Sequence, residues 1–473
     1  MTTAPSTAST AEVTEIDASA RCSLLLLLAF AFIWLLVSGV LALVNLVQLH
    51  TPAFLADCAL LTFGRTQAMQ ESAFIYGWAA NSGLAVTLWI LGRLGGSPLR
   101  SLNWVNAGAV FWNLAVALGL VGIATGDATS RAWLHLPHYV QPLMLVAYGA
   151  MAVTGVLAWT GRRHKMTFAS QWYAFAALFL FPWIFSAAQM MLAFMPARGV
   201  LQAVVAGWFV QGAWTLWLAP LALAGAYYLV PKISGRVIPS YDLARLGFWV
   251  LLFVGAWTGG RHLIGGPVPA WVPTIAVVAC TLLLIHYIVV AINLRSAFCG
   301  GSTVLKFVAF GLAAYLLGGL VDAATAMRSV AMITQFTYFS AAQSQLALSG
   351  AFSMIIFGAI YFLVPRITGR AWPSVALIRA HYAAAVIGTA GLVVTLAGAG
   401  WIQGHDLNDA AIPFATIAAH TRPWLLAATA AQAVLLLGNL LLAAHFVRLL
   451  AARPAISATS IFLQPPAMEA PAS

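Results

Sequence analysis

Ten histidines, four cysteines and eleven acidic residues are the side chains of this 473-residue chain that could bind a metal or move a proton. Their spacing limits what they can do. No histidines read HxH, HH or HxxxH inside an apolar run. A metal held in a helical core needs ligands converging from facing helices. His135 and His138 stand at i and i+3, but in a loop, where solvated histidines are expected. Cys22, Cys58, Cys280 and Cys299 form no CxxC, no CxxCH and no thiolate cluster. Glu71 and Asp322 lie in or at the edge of apolar runs, where a charge is costly and often functional. Both are placed to reach interfacial water. Asp322, with Arg328 one and a half turns on, is the better candidate for a proton relay. Four glutamines are more informative. Gln70, Gln211, Gln343 and Gln345 fall within or at the edge of apolar runs, and an amide in hydrocarbon needs hydrogen-bond partners. Glue between helices is one role for them.

The elements that must position these groups follow from composition. The chain is 62% apolar and 7% charged, where a soluble domain carries about 25% charge. Twelve apolar runs, from 22–49 to 423–448, are long enough to cross a bilayer, each needing about 20 residues. The expected fold is an all-α integral membrane protein with twelve transmembrane helices over residues 22–450. Residues 1–21 read as a disordered tail and not as a cleaved signal, because they carry Glu12, Glu15 and Asp17 and no basic leader. Residues 451–473, rich in Pro and Ala, read as a second disordered tail.

The net charge of +11 is not a nucleic-acid footprint. Arg93, Arg100, Arg162, Arg163, Lys165, Lys232, Arg236, Arg366 and Arg370 all follow even-numbered spans, and few basic residues follow the odd ones. Positive charge stays inside, so both termini are expected in the cytoplasm and lipid is the first partner.

One phrase occurs twice. YYLVPKISGR covers Tyr227–Arg236 and YFLVPRITGR covers Tyr361–Arg370, each at the end of a long apolar run. Here proline is expected to end the span, since it cannot continue a helix. Lys232, Arg236, Arg366 and Arg370 are expected to anchor the interface, and Tyr227, Tyr228 and Tyr361 to join its aromatic belt.

The stretches upstream carry a resemblance. WFVQGAWTLWLAPLALAGAYYLVPKISGR, WTGGRHLIGGPVPAW and QSQLALSGAFSMIIFGAIYFLVPRITGR are similar to spans six, seven and ten of haem-copper oxidase subunit I. The C-type branch, the cbb-type cytochrome c oxidases, is closest, and the resemblance covers roughly residues 65–448. It implies a bacterial-type inner membrane, haem b, copper, and a respiratory partner such as a membrane-anchored cytochrome c. That family holds its metals with six histidines. Carried over one at a time, the haem ligands fall on Gln70, Gln343 and Gln345. The copper ligands fall on Gln211, Arg261 and His262. The active-site tyrosine falls on Gly255. Of the six ligand positions, only His262 keeps histidine.

Positions i and i+2 of a helix point about 200° apart, so Gln343 and Gln345 face two different pockets, as HxH would. A neutral amide is a poor ligand for haem iron, and a guanidinium at Arg261 repels a nearby cation. The resemblance therefore implies the oxidase frame with no catalytic residue and no cofactor, serving as a scaffold or respiratory-complex subunit. Two other readings stay open. One is an active oxygen or nitric oxide reductase with replaced ligands. The other is a transporter or quinone-binding subunit that uses the vacated core, with Arg261, His262 and Asp322 as pocket or relay groups. Vacated volume must be filled. The 18 Trp and 26 Phe are expected to fill it. If they do not, the six carried-over positions should line it, and Arg261 would favour an anionic or polar ligand. Arg261 could equally snorkel to water.

Overall fold

The computed structural model describes residues 10–451, and side chains from residue 14. Among these residues all regular structure is helical. Twelve spans are long and apolar enough to cross a membrane. They are Arg21–His50, Phe63–Gly95, Leu102–Thr125, Gln141–Thr160, Ala169–Phe194, Leu201–Ser234, Tyr241–Leu263, Trp271–Cys299, Thr303–Thr325, Tyr338–Thr368, Val375–Leu407 and Phe414–Ala451. With an even number of spans, Arg21 and Ala451 lie on one face of the bundle. The apolar patterning thus places the spans as the sequence reading expects.

Three spans are unlike the rest. The most apolar windows of spans 2, 6 and 10 are 100%, 100% and 94% buried, against 39–56% in the other nine. Nine helices therefore shield three. Each inner span is also interrupted by a π-helical turn, at Ala73–Ala79, Ala213–Leu218 and Leu346–Ser353. Such turns widen a helix and recur at functional sites. Side chains stabilise the freed carbonyls. Asn81 Nδ2 donates to the Gly77 carbonyl at 2.6 Å, Thr215 Oγ1 to the Gln211 carbonyl at 2.8 Å, and Ser353 Oγ to the Leu348 carbonyl at 2.9 Å. Gly77 is required by close packing, since a Cβ there would lie 2.3 Å from the Trp34 side chain.

The repeated phrase ends two of the inner spans, and here three expectations are corrected. Pro231 and Pro365 do not end their helices, which run on to Ser234 and Thr368. The stop is made by Gly235 and Gly369, whose φ values of 68° and 66° are the left-handed conformation that glycine adopts readily. The proline is tolerated because its lost donor is replaced. The Tyr361 carbonyl, which a residue at 365 would normally bond, accepts from Trp372 Nε1 at 2.9 Å. Tyr227, Tyr228 and Tyr361 are not interfacial but buried in the core. Tyr361 shares a hydrogen bond of 2.9 Å with His381 Nδ1. Belonging to inner spans, these tyrosines never reach the lipid boundary.

The third correction concerns the first tail. Residues 10–19 form a helix, Thr10–Ser19, that docks at the end-bearing face. Buried Asp17 holds it there, accepting from Trp89 Nε1 at 2.9 Å and pairing with Arg93 at 3.0 Å. Arg21 then donates to the Thr368 carbonyl. A polar segment with few apolar residues is ordered by these partners, which sequence composition does not reveal. The tail expected over 451–473 lies, from residue 452 on, outside the described residues, as do residues 1–9.

Burial raises the Asp17 carboxyl above its usual range, and Arg93 and the Trp89 indole offset this only in part. An acid with a raised folded pKa stabilises docking fully at low pH and loses that contribution as pH rises through the folded value. Hydrogen exchange over residues 10–19, corrected for intrinsic rates, should therefore stay protected on acidification. Asp17→Asn should remove the pH dependence, whereas Asp17→Ala strips Trp89 Nε1 of its acceptor and should cost about 1–3 kcal/mol of protection.

Candidate functional site

The glutamines precede the π-turns. Gln70, Gln211, Gln343 and Gln345 lie roughly 8–15 Å along their spans from the face opposite the chain ends, at 1.5 Å rise per residue. Two cavities open around them. The first, about 460 Å³, is lined by Asn45, Gln70, Phe74, Tyr338, Gln345 and Gln432 among others. The second, about 440 Å³, is lined by Gln211, Trp214, Arg261, His262, Asp322 and Gln343 among others. Glu71, Trp133, Ser340 and Ser344 border both, forming a shared wall. The expected 200° divergence is realised, with Gln345 in one cavity and Gln343 in the other. The expectation that aromatics fill the volume is corrected. Tyr76, Trp112, Tyr148, Phe181, Phe185 and Trp217 instead pack on one another elsewhere in the core, with Phe181 and Trp217 centroids 3.9 Å apart.

An ion pair organises the second cavity. Arg261 Nη2 lies 3.0 Å from Asp322 Oδ1, and Arg261 Nη1 donates to the Asp322 carbonyl at 3.4 Å. Its Nε donates to His262 Nε2 at 3.2 Å, so that ring nitrogen carries a lone pair and His262 is neutral. Gln343 Nε2 donates to Asp322 Oδ1 at 3.2 Å and to Thr325 Oγ1 at 3.0 Å. Arg261 does not snorkel, being only 8% exposed. Asp322 pairs across spans with Arg261 and not with Arg328 on its own side of the sequence. A buried pair with extra hydrogen bonds offsets the desolvation of two charges; either charge alone would not.

The first cavity is uncharged apart from its wall. Ser349 Oγ donates to Gln345 Oε1 at 2.7 Å, which turns the Gln345 amide nitrogen free. Gln70, in contrast, makes no side-chain hydrogen bond among the described residues. His135 and His138 do not converge. His135 Nε2 meets Glu71 Oε2 at 3.0 Å, and His138 is exposed. Sequence reasoning missed the Glu71–His135 pair and Trp133, because both depend on a loop folding back over span 2. Tyr76 donates to the Trp133 carbonyl at 2.5 Å and holds that loop.

Whether these residues suit haem or copper is a question of donors. Haem iron takes His, Met, Cys or Tyr, and copper takes imidazole or thiolate. The cavities present amides, a neutral histidine, a guanidinium tied to a carboxylate, the Glu71 carboxylate paired with His135, and a single phenol, Tyr338, with no second haem donor facing it. Among the described residues no three or more His, Cys, Asp or Glu are grouped so that they could hold a metal. The donor set does not fit either group.

Twelve spans, three of them shielded and lining two adjacent cavities, are the architecture that the resemblance to haem-copper oxidase subunit I leads one to expect. The chain belongs to the family Cytochrome C and Quinol oxidase polypeptide I, whose model matches residues 23–434. It is 24% identical over 371 residues to the Cbb3-type cytochrome c oxidase subunit CcoN1 of Stutzerimonas stutzeri, covering 76% of this chain and 77% of that protein. It is 24% identical over 397 residues to cytochrome c oxidase subunit 1 of Rhodobacter capsulatus, covering 78% and 72%. The fold matches a haem-copper terminal oxidase dimer solved by cryo-EM, with TM-score 0.64 and 13% identity, over 94% of this chain and 84% of the other. It is a multi-pass protein of the bacterial plasma membrane.

The ion pair makes a stability prediction. Arg261→Met leaves the half-buried Asp322 carboxylate without its cation and should cost about 1–3 kcal/mol. Arg261→Met with Asp322→Leu removes both charges and should cost much less. Thermal unfolding in detergent checks the pair of results.

Proposed function

We propose that this protein is a non-catalytic member of the haem-copper oxidase subunit I family, acting as a scaffold or subunit of a respiratory membrane complex. The observation that carries the reading is the Arg261–Asp322 pair with Gln343, standing where the family resemblance places copper ligands and a haem ligand. A copper ion there would meet a guanidinium, and that guanidinium already has its counter-ion. The opposed amides Gln70 and Gln345 support the same reading for the low-spin haem. In this reading haem b and copper are absent, and both termini face the cytoplasm, as the basic residues after the even-numbered spans favour. A membrane-anchored cytochrome c or another respiratory subunit is the partner class.

Purified protein is expected to show no Soret band and no stoichiometric copper by metal analysis. A full complement of haem, or oxygen consumption with reduced cytochrome c that His262→Ala abolishes, would restore the redox-enzyme reading.

A further inference from the structure

Polar groups in a protein interior are normally hydrogen-bonded, and several that line the second cavity have no protein partner and face its open volume. Gln211 is 6% exposed and lines the cavity, and its side-chain amide has no hydrogen bond among the described residues. Gln343 gives its Nε2 to Asp322 and Thr325, which leaves its Oε1 as an open acceptor. Asp322 receives Arg261 and Gln343 on Oδ1, leaving Oδ2 open. Glu71 meets His135 through Oε2, and only a distant Gln67 amide, at 3.4 Å, approaches its Oε1.

The single cationic side chain of the lining is already engaged. All three kinds of Arg261 nitrogen have protein partners, at Asp322 Oδ1, the Asp322 carbonyl and His262 Nε2. An anion entering here would meet open carboxylate and amide oxygens and a guanidinium already paired with Asp322. These contacts weigh against Arg261 selecting an anionic ligand. The cavity is complementary to donors and to positive charge.

Its walls agree. Trp133 and Trp214 both line it, and an indole face attracts a cation through its quadrupole. Trp133 has φ 62°, a left-handed conformation that non-glycine residues adopt at a cost. Phe336, with φ 61°, lines the neighbouring cavity under the same strain. Strained residues kept at a cavity are a recurrent mark of ligand sites. The volume of about 440 Å³ lies in the range of small-molecule pockets.

We propose that the second cavity binds a small organic cation of the alkylammonium class. Its charged head faces Asp322 and Glu71, the Gln211 and Gln343 amide oxygens complete the acceptor set, and its alkyl groups lie against Trp133 and Trp214. The proposal rests on the metal-free reading, because a haem would fill the same space.

The test uses the full chain in detergent, with its absorption spectrum recorded first. Choline, its neutral isostere 3,3-dimethylbutan-1-ol and the anion 3,3-dimethylbutanoate are titrated by calorimetry. Choline should bind saturably, and the neutral isostere about 10-fold more weakly or worse. The anion should not bind. Asp322→Asn should abolish choline binding and, by releasing Arg261, admit the anion. Should that variant fail to fold, Glu71→Gln and Gln211→Leu serve instead, and each should weaken choline by about 3-fold or more. Equal binding of choline and its neutral isostere, preference for the anion, or unchanged choline affinity in both substitutes would overturn the proposal. A Soret band overturns the metal-free reading, whereas a haem-free sample that ignores choline overturns this proposal alone.

Discussion

Two opposite charges share a low-dielectric interior where neither could stay alone. Arg261 reaches across from span 7 to Asp322 on span 9, and Gln343 of span 10 ties the carboxylate down from a third direction. The neighbouring groups fall into line with that pair. His262 is neutral because it accepts from the guanidinium. The Gln343 oxygen is open because its nitrogen is committed. The electrostatic character of the cavity follows from one arginine being held by Asp322 and His262. Of the positions that the resemblance matches to metal ligands, Arg261 and Gln343 are tied together through Asp322.

The inner ring of spans 2, 6 and 10 is the second constraint. Three helices shielded on every side cannot use lipid to absorb packing errors, so glycine contacts and side-chain bonds to carbonyls do that work. The π-turns follow the glutamines and swing the later part of each helix relative to the earlier part. That geometry keeps the amides aimed into cavities while the apolar halves below them remain close-packed.

Much of this was legible in the chain. Span number and rough limits follow from run length, because a bilayer sets the length of an apolar helix. The repeated phrase sets register, and the angle between i and i+2 assigns Gln343 and Gln345 to separate pockets. Other features depend on contacts between distant segments. Asp322 has Arg328 nearby in sequence, yet pairs with Arg261 two spans away. Pro231 and Pro365 look like stops, yet glycines four residues on end the helices. The aromatic residues could have filled the cavities by volume, but packing them together elsewhere satisfied more of their contacts. Glu71 looked interfacial because nothing local announces that His135 will arrive from a loop 64 residues away.

The helix at Thr10–Ser19 sits where the inner ring ends. Asp17 leans on Arg93 and Trp89 of span 2, and Arg21 reaches Thr368 of span 10, 347 residues further along the chain. The first of these surfaces is offered by span 2, but the second is not complete until span 10 has been made and has joined the ring. The helix is therefore fully seated only after a span made much later than itself, and its seating reports that spans 2 and 10 have come together.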